Sequence, residues 1–353
     1  LDPACGTAGF LISAYNHILK KNTKKNLGDN LNASDRKKIG ENLNGYDISP
    51  DMVKMSLVNM YLHKFTNPNI NEYDTLSNEE RWNEYYDVIL ANPPFFSPKG
   101  GIMPHNRFGV RSTKAEVLFV DYINEHLKPN GRAGIIVPGG LTYQTGKSYL
   151  QLRKKIINDS LIGVIELPAG VFNPYANVKT SILILDKKVK KNLESIFFYE
   201  VQNDGYSLGA QRNKITKNDL PRCLQEFKSF ISDEVNSKNA IKIKEFNQNN
   251  DFVLSYNRTV NKSILTNNSN KVVLLSDTVE FVRGVSFSKK DRLEKSSSTS
   301  IYIATTRSSQ NDGIKKEHLN IIEKKLVKKQ NQILREGDIL ISLANSHHLV
   351  GRT

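Results

Sequence analysis

Short apolar runs alternate with longer amphipathic stretches over the first 200 residues of the chain. The apolar runs predict strands at Gly45–Ile48, Asp87–Ala91, Ala133–Val137, Leu161–Leu167, Ser181–Leu185 and Ile196–Val201. The amphipathic stretches predict helices at Phe10–Lys21, Pro50–Lys64, Ala115–Leu127 and Ser148–Asn158. This alternation indicates an α/β fold, with a mostly parallel sheet and helices on both faces. Ligands of such sheets bind outside the carboxyl ends of the strands.

The pattern changes after this alternating region. Residues 203–258 are polar, with one predicted helix near Leu220–Ser232, and we interpret them as the connecting and closing segment of a first domain over residues 1–202. Residues 257–270 are rich in Asn, Ser and Lys and form the predicted domain boundary. Short β-type runs follow at Val272–Leu275, Ile301–Thr305 and Ile339–Ser342. They predict a second domain over residues 271–353, which we expect to be partial because the chain stops just after the last run.

Composition narrows the class of protein. No run approaches the roughly 18 apolar residues of a membrane-spanning helix, so none is predicted. The two cysteines, Cys5 and Cys223, give neither a disulfide framework nor a metal-ligand cluster, and they favour a reducing, cytoplasmic location. The pair His347-His348 has no further ligand cluster to support it, so we predict a surface or turn position there and no metal site.

The charge of the chain suits a polyanionic partner. The net charge is +14 and the pI about 9.5. Residues 259–353 contain 16 Lys and Arg against 9 Asp and Glu, whereas the first 258 contain 34 against 27. The excess is therefore densest near the carboxyl end, although charge alone also fits a solvated basic surface.

The first candidate site residues surround a glycine turn and two strand tips. The opening LDPACGTAGF runs directly into a predicted helix, and such a turn lets backbone approach a ligand closely. Asp47 ends a predicted strand in GYDISP, where a carboxylate can accept both hydroxyl hydrogens of a ribose. Asp74, in EYDTL, is positioned to cap the third strand. Each feature alone also fits an ordinary turn or helix cap.

The segment Asn92-Pro93-Pro94-Phe95 follows the predicted strand YDVILA directly. Two prolines end the strand and stiffen the loop that presents the Asn92 side chain and the Pro93 carbonyl. Both groups accept hydrogen bonds, and an exocyclic amino group has two hydrogens to donate. The Phe95 ring can stack on a planar base. A rigid proline turn with a core phenylalanine is the alternative, but it does not explain why this turn follows the fourth strand of a domain that opens with a glycine turn.

Together, DPACGTAGFL, GYDISP and ANPPF resemble the methyltransferases that act on the amino group of DNA adenine. The closest resemblance is to the modification (M) subunit of type I restriction–modification systems. GRAGIIVPGGL, IELPAGVFNPYANVKTSILILDK and FVLSYNRTV support that choice, so the resemblance covers residues 1–258. It implies a Rossmann-like, S-adenosylmethionine-dependent methyltransferase core built on a mostly parallel seven-stranded sheet.

The resemblance also implies roles for individual residues. The residues that match the cofactor loop around the methionine part are Asp2, Ala4, Gly6, Thr7 and Gly9. Asp47 matches the ribose acid, and Asp74 the residue near the adenine amino group of the cofactor. Asn92, Pro93, Pro94 and Phe95 match the catalytic motif, and Asn92 also adjoins the cofactor. These enzymes carry a further cofactor motif and a helical domain before the glycine loop, so we expect the chain to be incomplete at its front.

The carboxyl-terminal part carries a second resemblance. LSDTVEFVRGVSFSKKD and LREGDILISLANSHHLVGRT resemble the target-recognition domain of type I specificity (S) subunits over residues 271–353. The resemblance implies a partial α/β target-recognition domain fused to the methyltransferase. The implied partners are double-stranded DNA and either restriction and specificity subunits or a fused nuclease.

The predicted reaction is direct transfer of a methyl group from S-adenosylmethionine to adenine that has been flipped out of the duplex. Within the enzyme class, methylation of RNA or of protein glutamine is the alternative. In another class, the chain is a non-catalytic DNA-binding scaffold with a degenerate methyltransferase core.

A loop beside the catalytic motif is the predicted DNA contact. Residues 97–113 contain three glycines and two prolines with little apolar periodicity, which predicts a mobile loop. Its basic residues Lys99, Arg107 and Arg111 suit contacts to phosphate. An ordinary solvated loop is the alternative.

Overall fold

The structure is a computed structural model that describes residues 1–95, 98, 100–174, 176–209, 211–233, 237–249, 252–256, 259, 278–310 and 313–341. The chain divides into two compact units, residues 1–269 and 270–353. The predicted boundary at 257–270 lies almost entirely outside the described residues, as do the predicted run Val272–Leu275 and the pair His347-His348.

The first unit contains seven α-helices and ten strands among its described residues. The helices are α1 (Gly9–Lys21), α2 (Ala33–Asn42), α3 (Pro50–Leu62), α4 (Ala115–His126), α5 (Lys147–Asp159), α6 (Leu220–Ser232) and α7 (Ile243–Asn249). The strands are β1 (Asn44–Asp47), β2 (Asn69–Glu72), β3 (Tyr86–Ala91), β4 (Leu127–Pro138), β5 (Leu161–Leu167), β6 (Thr180–Asp186), β7 (Ser195–Glu200), β8 (Asp204–Tyr206), β9 (Lys214–Asn218) and β10 (Ala240–Lys242).

A six-stranded sheet in the order β10-β7-β5-β6-β4-β3 forms the centre of this unit. Strands β3, β4, β5 and β7 run in one direction, whereas β6 and β10 run antiparallel to their neighbours. A separate parallel pair joins β1 to β2. The α/β class is therefore confirmed, but the sheet is mixed, and the predicted count of seven strands is not reproduced.

The first two residues of the chain connect the β1–β2 pair to the larger sheet. The Asp2 amide donates to the Asn44 carbonyl, and the Tyr46 amide donates back to the Asp2 carbonyl, both at 2.9 Å. On the other side, the Leu1 amino group donates to the Val88 carbonyl at 2.9 Å. Because these bonds follow the parallel pattern, the carboxyl ends of β1 and β3 meet at one edge of the sheet.

Helices pack on both faces of the sheet. Neighbouring residues of a strand point to opposite faces, and Phe197 of β7 packs with Cys223 and Phe230 of α6, whereas Phe198 belongs to the main core. Helix α4 contributes to that main core and is buried along nearly its whole length. The periodic patterns that predicted α1 and α5 correspond to buried faces, which include Leu11 and Leu19 of α1 and Leu152 and Ile156 of α5. Helix α3 differs, because it buries only Ser56 and Met60.

Three kinds of element escaped the sequence prediction. Helix α2 buries no residue and is held at its start by the capping box of Asn32 and Asp35, so it has no apolar periodicity to find. Strand β2 has four residues, none of them buried, and β8, β9 and β10 have three, five and three residues. The segment 203–256 is also more than a connector, because β10 extends the central sheet.

The second unit contains a three-stranded antiparallel sheet in its described residues. Its strands are β11 (Arg292–Leu293), β12 (Ser300–Ile303) and β15 (Asn320–Glu323), in the order β11-β15-β12, beside the two-residue pair β13 (Ser309–Gln310) and β14 (Gly313–Ile314). The predicted run Ile301–Thr305 overlaps β12. The predicted strand Ile339–Ser342 is not formed over Ile339–Ile341, where Ile339 is 71% exposed, and Ser342 lies outside the described residues.

None of the helices that the structure describes has the length and apolar character needed to cross a membrane. Both cysteines are buried free thiols.

Candidate active site

The candidate residues gather at the carboxyl edge of the sheet. Leu1 lies opposite Ile89 and Asp2 opposite Gly45 in the two parallel pairings. The glycine turn therefore leaves the sheet between Asp47 at the end of β1 and Asn92 just after β3. The chain order predicted this arrangement, and the pairing of Leu1–Asp2 explains it.

The glycine turn is held open by hydrogen bonds from two neighbouring elements. The Gly6 amide donates to Asp47 Oδ2 at 2.9 Å, and Asn59 Nδ2 of α3 donates to the Thr7 carbonyl at 2.7 Å. Gly6 has a φ of +53°, which favours glycine. A Cβ added at Gly6 or Gly9 would meet no atom within 4 Å, so the turn faces open space.

Asp2 lies beneath the turn and shapes it from inside. Its side chain is 2% exposed and accepts a hydrogen bond from the Ala4 amide at 3.2 Å. Burial raises the pKa of Asp2 to about 7, so the carboxyl is partly protonated near neutral pH. In this structure the Asp2 side chain fixes the backbone of the turn through its hydrogen bond to Ala4.

Asp47 has acceptor capacity left over. Oδ2 accepts from Gly6 and Oδ1 from the Ser49 amide, each at 2.9 Å. A carboxylate offers about four lone-pair sites, so roughly half remain available to a ligand. The side chain is only partly buried and borders the same open space as the turn.

Asp74 is occupied by a local turn. Its Oδ1 accepts from the amides of Leu76 at 3.0 Å and Ser77 at 3.2 Å, and the Ser77 hydroxyl donates to Oδ2. The next residue, Thr75, donates its hydroxyl to the Pro3 carbonyl at 2.8 Å. The structure thus brings Asp74 beside the glycine turn, while its present hydrogen bonds are those of the turn-capping alternative.

The catalytic-motif candidates follow β3 without further secondary structure. Asn92 and Pro94 are exposed, Pro93 is buried and Phe95 is partly buried. The Asn92 side chain has no hydrogen-bond partner among the residues that the structure describes. The burial of Pro93 fixes the backbone at this point, while the exposed Asn92 side chain remains accessible to a ligand.

Phe172, which the sequence prediction missed, extends the aromatic surface. Its ring centroid lies 5.8 Å from that of Phe95, with the planes at 81°, an edge-to-face pair. Phe172 belongs to the loop between β5 and β6, at the same edge of the sheet. The segment LPAGVFNP that supplies it was noticed only for its resemblance.

The predicted mobile loop is anchored over most of its length. Phe108 and Val110 belong to the main core, and the Val110 amide donates to Asp121 Oδ2 at 2.9 Å. Arg107 lies over the Trp82 ring at 5.6 Å and donates to Asn83 Oδ1 at 2.7 Å, while Arg111 is exposed. These contacts anchor the carboxyl-terminal part of the loop, and its predicted mobility stays a prediction. Lys99 lies outside the described residues.

A segment near the end of the first unit also docks at this edge. Arg153, fully buried, donates to the carbonyls of Phe252 at 2.7 Å and Leu141 at 2.9 Å. The Tyr256 amide donates to Glu166 Oε1 at 2.7 Å. Residues 252–256 are therefore built into the edge that carries the candidate site.

A cavity of about 580 Å³ opens at the opposite, amino edge of the sheet, between the ends of α4 and α5. Its lining includes Lys187 and Asp159. It contains none of the candidate residues.

The family model described as N-6 DNA Methylase matches residues 1–268. The methylase subunit of the type I restriction enzyme EcoEI from Escherichia coli is 31% identical over 238 residues, which cover 65% of this chain and 45% of that subunit.

Solved structures show the same fold. A chain from a structural study of the assembly and conformational transition of a type I restriction–modification system is 25% identical, with a TM-score of 0.59 over 72% of this chain and 53% of that one. The M protein of the type I enzyme EcoKI, an Escherichia coli enzyme, is 25% identical, with a TM-score of 0.52 over 64% and 48%. This chain spans about half the length of the relatives that it matches.

Proposed function

Because the chain belongs to the N-6 DNA methylase family, we propose that its first unit transfers a methyl group from S-adenosylmethionine to the exocyclic amino group of adenine in DNA. The observation that carries this proposal is the position of Asn92. Its exposed amide follows the carboxyl end of β3, next to the glycine turn and to the Phe95–Phe172 pair.

The residues present fit this cofactor. The turn leaves space above Gly6 and Gly9, and Asp47 retains acceptor sites suited to a ribose diol. Asp2, Ala4 and Thr7 would shape the same turn, and Asp74 would lie at its side. When bound, S-adenosylmethionine supplies a methyl group made electrophilic by its sulfonium.

The remaining chemistry belongs to residues of this chain. An adenine flipped from the duplex presents an amino group with two hydrogens, which Asn92 and the Pro93 carbonyl accept. These two hydrogen bonds would hold the amino nitrogen of adenine in line with the methyl group. They would also favour sp³ character at that nitrogen, which makes its lone pair available for attack. Pro94 keeps the loop rigid, and the Phe95 and Phe172 rings offer stacking surface for the base. Positioning of this kind contributes much of a rate enhancement.

We extend the proposal to partners by chemistry and similarity. Duplex DNA would meet the exposed Arg111 and, after rearrangement of its present contacts, Arg107, with Lys99 nearby in sequence. The second unit would serve as a target-recognition domain. Restriction and specificity subunits, or a fused nuclease, would complete a type I system of the kind to which the relatives belong.

The direct test is methyl transfer by the 353-residue chain, alone and with M and S partner subunits. Purified protein is incubated with methyl-labelled S-adenosylmethionine and plasmid DNA, and the digested DNA is searched for N6-methyladenine by mass spectrometry. Parallel reactions contain total RNA or a glutamine-containing protein. Label found only in RNA or protein would transfer the proposal to those substrates, and cofactor binding without any transfer would contradict it.

Asp47→Asn is expected to weaken S-adenosylmethionine binding by about 10- to 100-fold, the value of one or two hydrogen bonds to a charged group. Isothermal titration calorimetry measures the affinity, and thermal melting shows whether the turn survives. Asp51→Asn is the matched control, because its carboxylate is exposed in the first turn of α3. Equal affinities for both variants would remove Asp47 from the site. A wild-type chain that binds no cofactor would favour the scaffold alternative.

A further inference from the structure

The β8–β9 hairpin, described over residues 204–209 and 211–218, leaves the sheet at the edge that carries the candidate site. β7 runs parallel to β5 and in the same direction as β3, and β8 begins four residues after β7 ends. The Val201 amide donates to the Glu166 carbonyl at 2.9 Å, which fixes the point of departure. The hairpin therefore projects from the carboxyl edge, where Asn92 lies.

Hydrogen bonds join the hairpin to the loop that carries Phe172. Asn173 Nδ2 donates to the Leu208 carbonyl at 2.8 Å, and an Arg212 guanidinium nitrogen donates to the Gly170 carbonyl at 3.3 Å. Phe172 in turn contacts Phe95. The hairpin thus flanks the proposed base-binding surface through one intervening loop.

The outer surface of the hairpin combines exposed lysines with exposed apolar side chains. Every residue of β9 is exposed, and neither Lys214 nor Lys217 forms an ion pair with a residue that the structure describes. Tyr206 is 44% and Leu208 41% exposed. Arg212, in contrast, pairs with Asp204 and so cancels the single acidic charge of the hairpin. The net charge of the hairpin is therefore positive and is carried by Lys214 and Lys217.

The strand pairing within the hairpin is irregular. Asp204 lies opposite Asn218 and Tyr206 opposite Lys214, so β9 advances four residues where β8 advances two. The major groove of DNA admits a two-stranded β-ribbon, and exposed lysines on such a ribbon suit contacts to phosphate.

We propose that the β8–β9 hairpin contacts the phosphate backbone of duplex DNA beside the adenine that is to be methylated. The inference deepens the proposed function and rests on it for the position of the base. It adds a contact surface, centred on Lys214 and Lys217, that is separate from the segment 100–113.

The first test compares two double variants in DNA binding. Lys214→Gln with Lys217→Gln removes the proposed contacts, and Lys20→Gln with Lys21→Gln removes equal charge from the exposed end of α1. That end lies about 18 Å along the helix from the glycine turn, at 1.5 Å per residue. Binding of the full chain to a fluorescent 30-base-pair duplex is measured over a range of salt concentrations. We expect the hairpin variant to lower the salt slope by about 1.8 and affinity at low salt by about tenfold, and the control to change neither.

The second test is local. A photoreactive phenylalanine analogue replaces Tyr206 in one protein and Tyr61 of α3, which is 55% exposed, in another. Irradiation with the same duplex should crosslink the Tyr206 position and leave the Tyr61 position free. Because all four lysines and both tyrosines are exposed, none of these changes should disturb folding.

The outcomes separate this inference from the proposed function. An unchanged salt slope together with no crosslink at position 206 overturns the hairpin contact, whether or not the chain methylates DNA. A reduced slope and a crosslink support it, even if methyl transfer is found on another substrate. A wild-type chain that binds duplex RNA but no duplex DNA overturns it as well.

Discussion

Asn92→Ala should lower methyl transfer to DNA adenine by about a hundredfold or more, while the affinity for S-adenosylmethionine changes much less. Loss of one hydrogen bond that matters most in the transition state costs on the order of 3 kcal/mol. The side chain is exposed and has no hydrogen-bond partner in the described part of the chain, so its removal breaks no hydrogen bond among those residues. The rate is measured as methyl incorporation under single-turnover conditions, and cofactor affinity by calorimetry.

A second Asn-Pro pair supplies the control for this substitution. Asn67 is also exposed and precedes Pro68. It lies just before β2, however, at the amino ends of the parallel strands and away from the candidate site. Asn67→Ala should therefore keep the wild-type rate. If Asn92→Ala loses less than tenfold in an active preparation, Asn92 is not the acceptor. If Asn92→Ala unfolds the protein, Asn92 has a structural role in the rigid proline turn and not a catalytic one.

The periodicity of apolar residues was sufficient to predict the position of those helices that pack extensively against the sheet. The predictions for α4 and α6 agree with the structure to within one residue, and each of these helices packs against the sheet. Helix α2 was missed because a capping box stabilises it rather than burial. The antiparallel course of β6 was also missed, because the apolar pattern of a buried strand is the same in either direction.

Some residues of the candidate site could be predicted from the sequence and others could not. The positions of Asp47 and Asn92 were predictable because Asp47 ends a strand and Asn92 follows one, and the carboxyl ends of parallel strands meet at one edge of a sheet. Phe172 and the hairpin were not predictable, since their approach to Phe95 depends on hydrogen bonds between two loops that are 35 residues apart in the chain. Composition did not indicate the packing of residues 100–113, where Gly and Pro predict a loop but Phe108 and Val110 are buried in the core.

Asp121→Ala should destabilise the first unit by about 2–4 kcal/mol, the second large effect that the structure predicts. Asp121 is fully buried on α4 and accepts from Lys155 Nζ at 2.7 Å and from the Val110 amide at 2.9 Å. Its loss leaves a buried amide without an acceptor and a half-buried ammonium with one partner fewer. Burial would lower the pKa of Lys155, but its hydrogen bonds to Asp121 and Glu125 outweigh burial and raise it. Chemical denaturation at neutral pH measures the change.

Glu125→Ala is the matched control, because Glu125 binds the same ammonium from a side chain that is 42% exposed. An exposed ion pair contributes about 0–1 kcal/mol, so this variant should stay close to wild type. The two variants also differ in their consequence for the site, since only Asp121 holds the segment that follows Asn92-Pro93-Pro94-Phe95. Proteolysis at Arg107 or Arg111 should therefore accelerate in Asp121→Ala under conditions where the rest of the unit stays folded. Equal stability and equal cleavage of the two variants would show that Phe108 and Val110 anchor the segment without help from Asp121.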